Sequence, residues 1–338
     1  MSNRDILAIG TSAGGVEALL FLAAKFPPAF PAAVLITIHL PSRFRSSLDQ
    51  ILSNNGPLPA SFARDGERPR KGHIYLAPPD RHLLLDGNAL SLGTGPRENN
   101  VRPAIDPMLR SAALCCGGRL VGVVLTGTQG DGASGLWAVG ECGGMTVVQD
   151  PRDAAFAEMP QSALARVAPD HLVGLRQMPP LLQSLVHQPA EETRPAPDSL
   201  RFEVAMARAG ASSMETMDRL GRRSVMACPD CHGVMWEFDE GELTHYRCHV
   251  GHTYTAELLS LALDENLRRA LGSAQRAMEE RVALAHKLHR QARQAGHQLT
   301  ADTWAARALE YEQEMQVIRE SIRRMEAITA SEAKQAAK

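Results

Sequence analysis

The sequence predicts an α/β protein: a doubly wound, mostly parallel sheet with helices on both faces, then a small Cys/His ribbon, then an antiparallel helical hairpin. Three observations support this. From Asp5 to about Val186, short apolar runs alternate with amphipathic helical patterns, as parallel strands and their crossover helices do. Between Cys228 and His252, cysteines and histidines crowd into one short stretch. Beyond about residue 257, apolar residues recur at steps of three and four, the period of one helix face.

In chain order, "ILAIG" (Ile6–Gly10) is the first strand, and a helix follows from Val16. "AAVLITIH" (Ala32–His39) is the second strand, with a helix around Ser46–Ser53, and "HIYLAP" is a third strand. "HLLLDGNALSL" reads as a hairpin turning on Asp86 and Gly87. Helix "AIDPMLRSAALCC", strand "LVGVVLTG", helix "ASGLWAVGEC", strand "MTVVQD", helix "PQSALARV" and strand "HLVGL" complete the alternation. The Pro-rich, polar "HQPAEETRPAPDSL" marks its end. The expected division is 1–187 for the α/β domain, 188–222 for a linker and connecting segment, 223–256 for the ribbon and 257–338 for the hairpin. The final "SEAKQAAK" reads as frayed.

A chain of 338 residues with 44% hydrophobic content can fill a sizeable core. Its 36 basic and 38 acidic residues leave a net charge of -2, so no global field steers it to nucleic acid or acidic membranes. Apolar runs such as "AAVLITI" and "LVGVVL" fall far short of the roughly 20 residues that span a bilayer. Arg4 and Asp5 lead directly into a strand without a cleavable signal pattern. A soluble, cytoplasmic protein without membrane insertion or a nucleic-acid partner is expected.

In parallel α/β sheets, functional groups gather where the loops converge at the carboxyl ends of the strands. The turn "GTSAGG" after the first strand admits a phosphate-cradling role or a sharp bend that lifts Ser12 out as a nucleophile. Neither G-x-G-x-x-G nor G-x-x-x-x-G-K-[ST] is present there, whereas Gly10–Gly14 spells G-x-S-x-G. His39 ends the second strand, and Asp131 follows "LVGVVLTG". Each has an ordinary alternative: Ser12 as a helix N-cap, His39 as a buried structural histidine, Asp131 as an Asx-turn or N-cap residue. Their convergence on one rim favours catalysis, with Ser12 as nucleophile, His39 as base and Asp131 orienting the imidazole. Backbone N–H groups near Ala13 and Thr128 are the candidate oxyanion donors.

The motifs "IGTSAGGVEAL", "IHLPSRF", "GHIYLAPPDRHL", "RPAIDPMLRSAA", "VVLTGTQGDGASGL" and "VVQDPRDAAFAEMPQSAL" occur in this order over residues 5–185. Together they resemble the catalytic domain of the chemotaxis-receptor methylesterases, the CheB family. The resemblance implies a methylesterase-like sheet and places Ser12, His39 and Asp131 on that family's triad. It implies hydrolysis of glutamate methyl esters on receptors and, as in some members, deamidation of receptor glutamines. Many relatives have Thr after the nucleophile and Met-Gly where this chain has Thr128 and Gln129. Arg102, before "PAIDP", also falls on a family motif, and both a substrate contact and a plain surface charge are open for it. His73 and His82 read as structural, and Cys115, Cys116 and Cys142 as buried free thiols.

In "CPDCHGVMWEFDEGELTHYRCHVGHTY", Cys228 and Cys231 form a C-x2-C knuckle, and Cys248 and His252 a C-x3-H pair. That Cys3His spacing points to one structural zinc, since four protein ligands leave no open position for catalysis. His232 and His249 are fallback ligands, and "MWEF" and "LTHYR" around "DEG" form the intervening hairpin. The arrangement resembles a zinc-ribbon-like tail seen on some methylesterase relatives. Trp304, Ala308, Tyr311, Met315, Ile318, Ile322 and Met325 make one helical stripe, and Leu267, Leu271, Ala274, Met278, Ala285 and Leu288 another, with Gly296 between them. They read as an antiparallel hairpin with an internal seam.

The leading expectation is a serine hydrolase needing no cofactor for catalysis and acting on a methylated receptor-like protein. The chain starts at the first catalytic strand, so control is expected from a separate receiver polypeptide or through the C-terminal half, with a methyltransferase or sensor kinase as further candidate partners. The alternative is a non-catalytic scaffold in a signalling pathway. The α/β domain is expected to stand on its own core, independent of the ribbon.

Overall fold

The computed structural model describes the backbone of residues 3–39, 46–210, 214–240 and 243–336. The "LPSRF" part of the second motif and Gly241 of the expected ribbon turn lie outside these residues. The α/β part contains strands β1 (Ile6–Thr11), β2 (Ala33–Ile38), β3 (Ala60–Phe62), β4 (Ile74–Leu76), β5 (His82–Asp86), β6 (Ala89–Gly93), β7 (Leu120–Val124), β8 (Met145–Gln149) and β9 (His171–Val173). Its helices are α1 (Gly15–Ala23), α2 (Leu48–Asn55), α3 (Ile105–Cys116), α4 (Ala133–Glu141), α5 (Glu158–Arg166) and α6 (Met178–His187).

Seven strands form one parallel sheet in the order β3-β4-β2-β1-β7-β8-β9, while β5 and β6 pair separately as the expected hairpin. Residues of β1 alternate between two cores: Ile6 and Ala8 face one helical layer, Leu7 and Ile9 the other. This is why the strand reads as a continuous apolar run and not as an alternating one. The strand order reverses direction at β1, so the loops after β1, β2 and β7 open a crevice there, the usual site of function in such sheets. β3 was not legible in sequence, because its three half-buried residues are too few to show a period.

The segment after residue 187 carries α7 (Asp198–Ala209), which packs on α3, and α8 (Met214–Leu220). Strands β10 (Arg222–Ala227), β11 (Val234–Glu240), β12 (Leu243–Cys248) and β13 (Thr253–Thr255) form an antiparallel sheet in that order. Met217, Trp236 and Phe238 are its small core. Met1–Leu258 is one compact unit and Leu259–Lys338 a second. The Pro-rich stretch therefore runs inside the first unit, where Arg194 N–H donates to Cys142 C=O at 3.2 Å.

In the second unit, the long helices α9 (Ala256–Gln294) and α10 (Gln298–Ala336) are joined through Gly296, whose φ of 74° suits glycine. Ala285 and Ala308 are buried along the seam, and His286 pairs with Glu312 at 2.8 Å. Leu267 departs from the expected stripe, being 50% exposed. Among the described residues, no helix is long and apolar enough to cross a membrane.

Candidate active site and metal centre

β1 and β2 are adjacent and in register to their last residues, Thr11 opposite Ile38. The next residues are Ser12 and His39, so strand pairing alone brings the expected nucleophile and the expected base to neighbouring positions on the rim. The turn after Ser12 requires Gly14, whose φ of 72° is strained for any residue with a Cβ. Gly14 is the N-cap of α1 and the helix has no side-chain cap, so Ser12 does not serve as one. Thr126, just past β7, fastens the turn: its C=O accepts from Ser12 N–H at 3.1 Å, and its Oγ1 donates to Ala13 C=O at 3.1 Å. A Cβ on Gly127 would lie 2.9 Å from Ser12 Cβ, so glycine lets the β7 loop close against Ser12.

His39 Nε2 lies 2.7 Å from Asp131 Oδ2, with the His39 side chain 13% exposed and Asp131 fully buried. Burial alone would raise the pKa of Asp131. Its hydrogen bond to His39, the imidazole charge and the N–H groups of Ile105 and Asp106 outweigh that and hold the carboxyl below its ordinary range. An ionised carboxylate only accepts, so His39 donates from Nε2, and the neutral form of the ring then has its lone pair on Nδ1. The carboxylate contact is therefore made by Nε2, where chymotrypsin-type triads use Nδ1.

Among the described residues, every partner of Asp131 is a donor. Oδ2 accepts from His39 and from Ile105 N–H at 2.6 Å, and Oδ1 from Asp106 N–H at 3.1 Å and Asn99 Nδ2 at 3.2 Å. Two of these are first-turn amides of α3, where an anion is favoured. Asp106 reciprocates at α4, accepting from Gly132 N–H at 3.0 Å and Gly135 N–H at 2.6 Å. Burial, reinforced by the neighbouring charge of Asp131, pushes the Asp106 carboxyl up to about 7. Among the described residues, neither Ala13 nor Thr128 gives its N–H to a protein acceptor.

The second cluster lies in the β10–β13 sheet. One ligand atom from each of Cys228, Cys231, Cys248 and His252 falls within 4.8 Å of the others. Cys231 and Cys248 sulfurs are 3.6 Å apart, and His252 Nδ1 is 3.5 Å from both Cys228 and Cys248 sulfurs. Around zinc, with bonds near 2.3 Å to sulfur and 2.0–2.1 Å to nitrogen, tetrahedral edges are about 3.8 Å and about 3.5 Å respectively. Backbone N–H groups of Asp230 and Cys231 point at the Cys228 sulfur, as the knuckle spacing requires. The four residues therefore fit a closed tetrahedral ion.

A model of the CheB methylesterase family matches residues 7–182. The chain belongs to the CheB methylesterase family. A Pectobacterium atrosepticum protein named protein-glutamate methylesterase/protein-glutamine glutaminase is 37% identical over 182 residues, covering 53% of this chain and 52% of that protein. A Leptospira interrogans protein with the same name, marked putative, is 34% identical over 177 residues and is covered to 92%. The solved catalytic domain of Thermotoga maritima CheB methylesterase is 31% identical, with a TM-score of 0.52, and is covered completely by 55% of this chain. The chain spans about half the length of the Pectobacterium relative.

Within this CheB-type domain, Arg102 binds Asp80 at 2.7 Å and the Gly95 C=O at 2.7 Å, which ties two rim loops together. His82 is buried between the Pro96 C=O at 2.8 Å and the Ala104 N–H at 3.2 Å, and His73 bonds Ser61 at 2.8 Å. Both are structural. Cys116 and Cys142 are buried and Cys115 half-buried, all as free thiols, and burial pushes Cys116 up to about 12. A cavity of about 260 Å³ lined by Asp5, Arg68, Lys71 and Arg119 sits at the opposite end of the strands, away from Ser12. Sequence reasoning missed Asn99 and Asp106. Asp106 stands inside the family motif "PAIDP", a signal that was available, whereas Asn99 in "RENNVR" carries none.

Proposed function

We propose that the chain is a serine hydrolase that removes methyl esters from glutamate side chains of a receptor-like protein, through Ser12, His39 and Asp131. The observation that carries this reading is the 2.7 Å His39–Asp131 bond to a fully buried carboxylate, beside the G-x-S-x-G turn at the switch of the sheet. His39 Nδ1 takes the proton from Ser12 Oγ as the oxygen attacks the ester carbonyl carbon. The N–H groups of Ala13 and Thr128, free of protein acceptors among the described residues, hold the tetrahedral oxyanion. Collapse returns the proton from Nδ1 to the departing methoxide and releases methanol. Water, deprotonated by His39, then attacks the acyl-serine and frees the glutamate carboxylate and Ser12.

A glutamine amide passes through the same steps with ammonia leaving, in keeping with the double name of the relatives. Arg102 supports the rim, since Asp80 and the loop carbonyls occupy its guanidinium. The Cys3His cluster holds a structural zinc that crosslinks the ribbon.

A fluorophosphonate probe should label the wild-type protein at Ser12 and leave folded Ser12→Ala unlabelled, with methanol release from methylated receptor membranes abolished in the variant. Undiminished methanol release by Ser12→Ala would refute the mechanism. Elemental analysis should find one zinc per chain, lost in Cys248→Ser.

A further inference from the structure

Four charged side chains outside the triad are buried together. Glu98 from the loop before α3, Arg110 of α3, Glu203 of α7 and Arg247 of β12 are each at most 2% exposed. Arg110 reaches Glu98 at 2.8 Å and Glu203 at 2.9 Å, while Arg247 binds Glu203 closely and Glu98 at 3.5 Å. Among these four, two positive and two negative charges balance, and buried ions are tolerated only when paired; His245 Nε2, 3.4 Å from Glu203, and Asp106, 3.7 Å from Arg110, border the set. The ribbon supplies Arg247, one of its two arginines, so the ribbon and the α/β domain share this cluster.

The ribbon also grips the next residue of the same loop. Asn99 N–H donates to Thr253 C=O at 3.0 Å, and its side-chain amide donates to Asp131 Oδ1 and Asp106 Oδ2, each at 3.2 Å. Asn99 and Asn100 both hold left-handed conformations, with φ of 51° and 65°. Asparagine tolerates these, but two in succession persist only where the surroundings fix them. The two ribbon residues that do the fixing are neighbours of metal-site residues: Arg247 precedes Cys248, and Thr253 follows His252.

We infer that Asn99 is a positioning residue for Asp131, and that the metal-holding fold of the ribbon sets its position. Ribbon integrity is thereby transmitted to the triad through one loop, a link that rests on the hydrolase and Cys3His readings above. Removing the ion loosens β12 and β13, frees the loop, and withdraws one of the hydrogen bonds that orient the carboxylate facing His39.

The test uses the full chain in zinc-bound, chelated and zinc-resupplied forms, beside Asn99→Ala and the double variant Glu98→Val/Arg247→Met. The double variant removes one charge of each sign and leaves the Arg110–Glu203 pair intact. The first readout is hydrogen–deuterium exchange of peptides covering residues 96–108, with 120–125 of β7 as reference. Chelation should speed exchange in 96–108 and spare 120–125, zinc chloride should reverse it, and the double variant should show it with zinc bound. The second readout is turnover of a small methyl ester. Chelation should lower wild-type kcat by about tenfold with KM little changed, but lower Asn99→Ala by less than about twofold, because that contact is already gone.

Unchanged exchange in 96–108 on chelation would overturn the inference, as would equal fold-losses of kcat in wild type and Asn99→Ala. If chelation opened 120–125 as well, the zinc-bound double variant decides: protected 96–108 there refutes the link. A wild-type protein that neither turned over ester nor accepted fluorophosphonate would sink the hydrolase reading, and the exchange measurement would still judge the coupling.

Discussion

Replacing Asp131 by asparagine tests the site most directly, because all of the partners of this carboxylate are donors. The introduced amide must place its NH2 on one of two oxygen positions. At Oδ1 it would confront Asn99 Nδ2 and Asp106 N–H; at Oδ2 it would confront His39 Nε2 and Ile105 N–H. Only His39 can adapt without disturbing a neighbour, by moving its proton from Nε2 to Nδ1 and accepting at Nε2. The NH2 therefore settles toward His39, and the nitrogen that should take the proton of Ser12 carries one instead. The expected loss in kcat is on the order of 10⁴, the size seen when a triad imidazole is held in the wrong tautomer, or about 5 kcal/mol on the barrier. A donor left against Ile105 N–H also costs about 1–3 kcal/mol of stability. Methanol release should be followed on protein whose thermal melt is still cooperative. A loss below tenfold in such protein would refute the tautomer argument and leave Asp131 as a cap for α3.

Arg247→Met strands two buried carboxylates on one guanidinium, at a cost of about 3–5 kcal/mol, so Tm should fall by about 6–20 °C and recover largely in Glu98→Val/Arg247→Met. Arg152→Met, at an exposed pair with Asp150, should leave Tm unmoved, and equal shifts in the two single variants would discredit the buried cluster. Asp106 titrates near 7 in the fold against about 3.9 unfolded. The stability held by its protonated form is full below pH 4 and lost as pH rises through 7. The Tm of wild type minus that of Asp106→Asn should therefore decline between pH 5 and 8, and a flat difference would contradict the assignment.

The α/β sheet was legible because buried parallel strands are apolar throughout and end abruptly in small residues, as "ILAIG" and "LVGVVLTG" do. Register then followed, since Ser12 and His39 each stand one residue past paired strand ends. The Cys3His cluster was equally legible, because its ligands are close in sequence. The charge cluster was not: Glu98, Arg110, Glu203 and Arg247 lie up to 149 residues apart, beyond the reach of any local pattern. Composition placed a domain boundary in the Pro-rich 188–197 stretch. Composition reports backbone stiffness and polarity, whereas compactness depends on what α7 and β12 bury, which no local pattern encodes.

Asp131 shows why structural and catalytic readings of one residue need not compete. As a cap it satisfies the first amides of α3; in the proposed triad it needs those same amides, because they help keep it ionised against the cost of burial. Asp106 does the same for α4 and is displaced toward neutrality by burial, with the neighbouring Asp131 charge adding to it. Two helix starts thus share one pair of acids, with the lower-pKa member facing His39. Asn99 bridges both acids from a loop whose conformation the ribbon secures. A change in the ribbon consequently reaches Ser12 through the orientation of Asp131 and His39, without any movement of the sheet that carries them.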